Sequence, residues 1–392
     1  MSGRRSDENA GRELSGPDVL VIGAGQAGLS SAYHLRRRGF VPFGSRAATA
    51  PGTGRGSDVP DGRPRLRTHL VVDGEQGPGG AWRHRWRSLR MDAVNGISDL
   101  PGMEQPGMDA CEPAQEAVPS YFADYEEHLD LEVLRPVHVR SVRPGQGRRL
   151  RVESDAGTWS IRALINATGT WSKPFWPLYP GQHTFRGRQL HTADYSSAEE
   201  FTGQHVIVVG GGISAVQLLD EISRVGDTTW VTRRPPIFRD EEFTPDRGRE
   251  AVAMVDERVR AGLPPQSVVS VTGLPWTPAL RDAARRGVLD RKPMFSEITP
   301  DGVCWPDGRE QKADVILWCT GFRAALDHLA PMRLREPGGG IVMDGTRAVK
   351  DPRIHLVGYG PSASTIGANR AGRVAVREII ELLDTQDADV PA

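Results

Sequence analysis

Two glycine clusters carry the chemistry most legible in this sequence. The first, Gly23-Ala24-Gly25-Gln26-Ala27-Gly28, follows the apolar run Val19–Ile22 and opens a helical pattern over 29–38 that Gly39 closes. In such a cluster Gly23 makes a tight turn, Gly25 lets the backbone approach a pyrophosphate, and Gly28 lets helix and strand pack closely. The helix N-terminus then faces the phosphates. The second, Gly210-Gly211-Gly212-Ile213-Ser214-Ala215, repeats the arrangement after His205–Val209, with alanine at the third position, which the pattern allows. A G-x-G-x-x-G on its own is a weak signal; strand before and helix after is the context that makes a dinucleotide site.

The residues ending each partner strand should distinguish the two nucleotides. Asp73 closes the apolar run 70–73 and is the candidate for the adenosine ribose of the first site. It lies 45 residues beyond Gly28, against roughly 20 in the usual unit. The stretch 44–67, rich in Gly, Pro, Arg and Asp and without period, accounts for the excess if it is an irregular insertion; if it does not loop out, the first site is damaged. The partner strand of the second site, 229–232, ends in Arg233-Arg234, 21 residues past Gly212. Arginine there would pair with a 2′-phosphate, which favours NADP over NAD. One site then suits a resident FAD and the other a visiting NADPH, whose hydride the flavin holds.

These motifs call for an α/β fold of two Rossmann-like dinucleotide-binding domains, the second inserted in the first. The expected boundaries are a disordered leader at 1–16, the first part of the FAD domain at 17–175, the NADPH domain at 176–312, the rest of the FAD domain at 313–384 and a disordered tail at 385–392. A helix is expected over 119–131. The chain has 392 residues and a net charge of −1, so it presents no basic field for nucleic acid. No apolar run approaches the roughly 20 residues that span a bilayer, and 1–17 lacks the apolar core of a signal peptide. A cytoplasmic protein is the expectation, with its oligomeric state open. Cys111, Cys304 and Cys319 form no C-x-x-C pair. They read as packing residues and argue against a dithiol reductase. No spacing suggests a metal site.

The chain resembles the flavin-containing monooxygenases, from about Pro17 to Leu383 apart from 44–67. Gly79-Gly80-Ala81-Trp82 matches a G-G-x-W that lies close to the flavin in that family. Phe185-Arg186-Gly187-Arg188-Gln189-Leu190-His191-Thr192-Ala193-Asp194-Tyr195 fits the signature F-x-G-x-x-x-H-x-x-x-[YF/W]. There, the segment links the domains and senses NADP-dependent movement, so the resemblance gives His191 a positioning role. Tyr195 without a following proline is similar to the branch that oxygenates nitrogen or sulfur. Ala167-Thr168-Gly169 and Thr320-Gly321-Phe322 resemble the turns where the chain passes between domains. The run 357–364 is similar to a bacterial subgroup, some of whose members accompany arsenic-resistance operons. In two respects the chain departs from the pattern. Tyr359, where related flavoproteins carry aspartate, follows Gly358. The family's active-site asparagine, from an L-x-x-N motif, meets Leu89-Arg90-Met91-Asp92, with Asn95 three residues on; Asp92 or Asn95 could take that place.

The resemblance implies an FAD-dependent, NADPH-consuming monooxygenase that forms a C4a-(hydro)peroxyflavin and oxygenates a small soft nucleophile, nitrogen or sulfur or trivalent arsenic. Its partners would be that substrate and O2. Residues carried to cofactor binding are Gly23, Gly25, Gln26, Gly28, Asp73, Gly80, Trp82, Thr168, Gly169, Gly210, Gly212, Ser214, Arg233, Arg234, Gly321 and Gly358, and to catalysis Asn95 and His191. Trp82 or Trp86 could wall the substrate. A flavin reductase or oxidase without oxygen transfer, and a non-catalytic nucleotide or redox sensor, are the alternatives.

Overall fold

The computed structural model describes residues 15–45, 66–94, 96–240, 245–266 and 272–389. Most of the expected leader, the 46–65 part of the expected insertion and Asn95 lie outside the described residues. Val19–Ile22 is buried along its whole length, which is why it reads as an unbroken apolar run and not as an alternating one. It pairs in parallel with Thr68–Val72 on one side and Ala163–Asn166 on the other. Around this trio the first sheet runs Met343–Asp344, Arg347–Ala348, Asp351–Leu356, Ala163–Asn166, Val19–Ile22, Thr68–Val72 and Val41–Pro42, with Val133–Leu134 also on Thr68–Val72. Helix Gln26–Arg37 covers one face and packs on the final helix, Thr365–Ala388. The two backbones come close at Gly372, where a Cβ would lie 2.8 Å from Ser30 Oγ. An antiparallel meander, Val139–Pro144, Leu150–Ser154 and Thr158–Ile161, supplies Val142, Leu150, Val152 and Ile161 to the core on the opposite face.

The second sheet is parallel throughout, in the order Lys292–Pro293, Asp227–Thr232, His205–Val209, Val315–Trp318, Arg188–His191. Helix Ile213–Ile222 covers one face; Ile298, Val303 and Trp305, on or beside a small antiparallel sheet, cover the other. All its strands fall between residues 188 and 318, whereas the first sheet takes strands before 167 and after 342. The second Rossmann-like unit is therefore inserted in the first.

The structure moves three expected boundaries. Val315–Trp318 belongs to the second sheet, so the chain returns to the first unit after Trp318 and not at 313. A four-residue apolar run reads the same in either sheet, and only its pairing distinguishes them. The helix expected over 119–131 is Ala114–His128, with Pro119 inside it rather than at its start. The last helix continues to Ala388, past the expected start of a tail at 385. Asp387 anchors it, accepting hydrogen bonds from Arg162 Nη2 at 2.5 Å and Arg67 Nη2 at 2.9 Å. Of the three cysteines, Cys319 is buried, Cys304 half-buried and Cys111 exposed.

Burial sets an acid limit on this fold. Desolvation pushes His34, His69 and His328 down to about 4 and His355 to about 3, with neighbouring arginines adding to the shift at His34. Each has a folded pKa below its unfolded value near 6.5, so below that pH the unfolded chain binds more protons. Stability is present above pH 6.5 and is lost as pH falls towards 4. The melting temperature is expected to drop steadily from pH 6.5 to 5, with unfolding taking up protons at these buried histidines. A flat profile in that window would contradict this.

Candidate active site

In the first glycine loop, Gly23 has φ +98°, and a Cβ there would sit 2.4 Å from the Ala167 carbonyl; on Gly28 it would meet the Gly23 carbonyl at 1.8 Å. These two glycines are required by the turn itself. Gly25 differs, because a Cβ there would meet nothing within 4 Å. The open space lies at the N-terminus of Gln26–Arg37, a helix with no acidic residue in its first turn and no side-chain cap. Its free N–H groups and dipole suit an anion.

Asp73 stands beside this loop despite the long spacing. Its Oδ2 accepts from Ala24 N–H at 2.9 Å, its Oδ1 from Glu75 N–H at 3.0 Å, and Arg135 Nη2 lies 3.8 Å away. Each carboxylate oxygen has further lone pairs for ribose hydroxyls. Gly80 closes over the loop, a Cβ there falling 3.2 Å from Gly25 Cα. Gln26 donates from Nε2 to Ser98 O and Asn369 Oδ1, tying the loop to the start of the last helix. Its Oε1 is buried without a donor. An open anion cradle, a carboxylate at the ribose position and an orphaned buried acceptor fit a dinucleotide such as FAD.

The second loop repeats the geometry. A Cβ on Gly210, at φ +145°, would lie 2.2 Å from the Cys319 carbonyl, whereas one on Gly212 would meet nothing within 4 Å. Ser214 is half-buried in the first turn of Ile213–Ile222, which again carries no acid. Arg233 and Arg234 follow Asp227–Thr232 directly and are exposed. The Arg234 carbonyl would be 4.0 Å from a Cβ on Gly211, and neither guanidinium has an ion-pair partner among the described residues. Two free cations beside an open phosphate cradle fit NADPH.

Between the sheets the two chain crossings lie side by side. The Gly321 carbonyl accepts from Phe175 N–H at 2.9 Å, the Arg323 N–H donates to Lys173 O at 2.8 Å, and Thr168 Oγ1 donates to Ala325 O at 2.7 Å. His191, fully buried, completes this junction. Its Nδ1 accepts from Ala193 N–H at 3.1 Å, which leaves the proton on Nε2 to donate to Gly321 O at 3.0 Å. Burial holds its pKa below the usual histidine value. His191 is a neutral staple with both ring nitrogens engaged, and has no proton to spare for acid–base chemistry.

An aromatic file crosses the same junction. His191 meets Phe322 edge-on at 4.9 Å, Phe322 stacks on Trp171 at 4.9 Å, and the Arg85 guanidinium carbon lies 4.8 Å from the Trp171 ring centre and 5.3 Å from that of Trp82. A second tie joins the G-G-x-W segment to the helix of the second site. Glu221 Oε1 accepts from Trp86 Nε1 at 3.2 Å, and its Oε2 from Ser88 Oγ at 2.6 Å and Tyr195 OH at 3.0 Å.

The structure thus gathers most of the sequence-derived residues at two loops and one junction. Gly358 borders the first loop, its Cβ position 3.4 Å from Ala27 Cβ. Asp92 is exposed in a short turn, and no partner for its carboxylate occurs among the described residues. Trp86 is buried and bonded to Glu221, so it cannot stack on substrate, whereas Trp82 faces Arg85. Sequence reasoning missed Glu221, Arg85 and Trp171, which stand in no motif, and it took Phe322 only as part of the Thr320-Gly321-Phe322 turn, not as the ring that stacks on Trp171.

Two sheets, each with a parallel core and an open glycine cradle, joined at a junction built from both crossings, define a two-dinucleotide flavoprotein. Residues 87–257 match the family described as pyridine nucleotide-disulphide oxidoreductase. A flavin-containing monooxygenase from Stenotrophomonas maltophilia is 36% identical, with a TM-score of 0.75 over 94% of this chain and 99% of that one. Among curated proteins, an uncharacterized CzcO-like oxidoreductase of Geobacillus kaustophilus is 23% identical over 340 residues, 85% of this chain and 88% of that protein. The indole-3-pyruvate monooxygenase YUCCA1 of Oryza sativa is 24% identical over 388 residues, 87% of this chain and 84% of that protein. The chain belongs to the flavin-containing monooxygenase family, whose members are FAD- and NADPH-dependent enzymes. It is an FAD-dependent monooxygenase. No helix among the described residues is long and apolar enough to cross a membrane.

Proposed function

We propose that this enzyme consumes NADPH and O2 to place one oxygen atom on a small soft nucleophile, a nitrogen or sulfur centre or a trivalent arsenical. For a thioether the balance is sulfide, O2, NADPH and a proton giving sulfoxide, NADP+ and water. The bound flavin supplies hydride acceptance and oxygen activation. The chain's own residues bind, orient and exclude water: the loop at Gly23, Gly25 and Gly28 holds the FAD pyrophosphate, and Gln26, Asp73, Gly80, Trp82 and Gly358 surround the rest. Gly210, Gly212 and Ser214 hold the NADPH pyrophosphate. Thr168, Gly169 and Gly321 set the junction, and His191 fixes it as a positioning residue; Asp92 or Asn95 is the candidate for the family's active-site asparagine. The observation that carries this reading is the double tie across the cleft, His191 to Gly321 and Glu221 to Trp86, Ser88 and Tyr195. It holds one nucleotide site in register with the other, as oxygen transfer without leakage requires.

Arg233 and Arg234 give the first check. Each charge-assisted contact to a 2′-phosphate contributes about 1.5–3 kcal/mol. Arg233→Ala with Arg234→Ala is expected to raise the KM for NADPH by roughly 100- to 10,000-fold, while the KM for NADH changes less than about threefold. Equal loss with both nucleotides would contradict the assignment. The whole reading is tested by reducing the holoenzyme with NADPH without oxygen, admitting oxygen, and following the flavin spectrum. Slow return of the oxidised spectrum, accelerated by an amine, thioether or trivalent arsenical, is expected. Immediate return with stoichiometric peroxide, indifferent to every such compound, would make the protein an oxidase.

A further inference from the structure

Arg85 is a cation with no ion-pair partner among the described residues. Its Nε is buried without a partner. No hydrogen bond or ion pair reaches its side chain among the described residues. Glu75, the acid of the same loop, is turned to His84 at 2.8 Å and Arg83 at 3.8 Å. Two indole rings, Trp82 and Trp171, hold the guanidinium at 5.3 and 4.8 Å. Those contacts orient a planar cation but do not neutralise it. Burial lowers its pKa from the ordinary arginine value, yet a guanidinium stays charged in a protein. The residue as a whole is half-buried, so its desolvation is partial, and an anionic ligand is what would complete its unused donors.

The location narrows the ligand. Trp82 belongs to the loop that closes over Gly25, and Trp171 stacks on Phe322, which touches His191. Arg85 therefore sits at the junction of the two nucleotide units, and each phosphate cradle has its own helix N-terminus. We propose that Arg85 is a specificity-determining residue that binds the carboxylate of an acidic, aromatic or otherwise flat substrate, whose apolar body lies against Trp82 and Trp171. This rests on the monooxygenase reading above and names the substrate class of that site: an anionic soft nucleophile in preference to a protonated amine. A planar guanidinium presents two parallel N–H donors to a carboxylate, and the flanking rings supply apolar area for the remainder.

The test titrates oxidised holoenzyme with (phenylthio)acetate and with its methyl ester, reading the perturbation of flavin absorbance. The acid is expected to bind about 10- to 100-fold tighter than the ester. Arg85→Met should erase that preference at unchanged flavin content and NADP+ affinity, and Arg85→Lys should keep part of it. Equal binding of acid and ester by the unaltered enzyme would overturn the proposal. So would an Arg85→Met protein that loses NADP+ affinity instead, which would put the dinucleotide on this cation, or one that loses FAD, which would put the flavin there. Binding to oxidised enzyme needs no turnover. An enzyme that prefers the acid but releases only peroxide fails the functional reading alone; one that oxygenates a neutral thioether without preferring the acid fails this inference alone.

Discussion

A Gly25→Val protein is expected to fold with the stability of the unaltered apoprotein and to retain no FAD on purification. A Cβ at Gly25 meets nothing within 4 Å, and the backbone there, φ −81° and ψ −168°, is one any residue adopts. The added Cβ therefore clashes with nothing in the protein; the side chain fills the space in which a pyrophosphate must approach the helix N-terminus. Losing two or so charge-assisted hydrogen bonds at about 1.5–3 kcal/mol each corresponds to a roughly 100- to 10,000-fold weaker complex. Gly28→Val serves as the contrast, since a Cβ there collides with the Gly23 carbonyl at 1.8 Å and must disturb the strand–helix packing itself. Flavin content by absorbance and thermal melting of the two apoproteins separate the cases. A Gly25→Val protein that keeps its FAD would remove the first glycine loop from cofactor binding.

The second large effect is expected at Glu221. Replacing it with alanine leaves the Trp86 indole N–H and the Tyr195 hydroxyl, both on buried side chains, without their acceptor, and frees Ser88. Burial first, and then the Glu221 carboxylate, hold the Tyr195 phenol above its ordinary pKa, so its hydroxyl is a fixed donor. Leaving two such donors unsatisfied costs about 2–4 kcal/mol once the solvent access of Glu221 is allowed for. The ends of this clamp are the G-G-x-W segment and the last residue of the segment around His191, so the loss falls on the register between flavin and nicotinamide. The melting temperature should fall, and the fraction of NADPH oxidised to peroxide should rise severalfold even at temperatures where the protein stays folded. Glu221→Gln keeps one acceptor oxygen and should be milder on both counts. A fall in stability with unchanged peroxide release would reduce Glu221 to a purely structural role.

The contrast between these two sites explains what could be read in the sequence. Strand, glycine turn and helix are contiguous, and each glycine is demanded by backbone geometry within a few residues of itself, so both cradles were legible. The position of Arg233 and Arg234 at the end of the partner strand was legible for the same reason, because they follow it directly. Asp73 was reached across a long Gly- and Pro-rich stretch of sequence because an apolar run ending in an acid is recognisable at any spacing, and its bond to Ala24 N–H brings it to the loop. The Glu221 clamp joins residues 135, 133 and 26 apart. A glutamate on a helix surface carries no mark of such distant partners. Arg85 stood in the charged run Arg83-His84-Arg85, and only the fold reveals that it turns inward between two tryptophans while its neighbours take up Glu75. Val315–Trp318 shows the remaining limit: an all-apolar strand announces its burial but not its sheet.

Supplying the holoenzyme with NADPH, an aryl methyl thioether and heavy-isotope-labelled dioxygen, and weighing the sulfoxide by mass spectrometry, tests the central claim most directly. One labelled oxygen atom in the product for each NADPH consumed, with little peroxide, is the expected result. Unlabelled sulfoxide, or NADPH oxidation that ends entirely in peroxide with a thioether, amine or arsenical present, would contradict it.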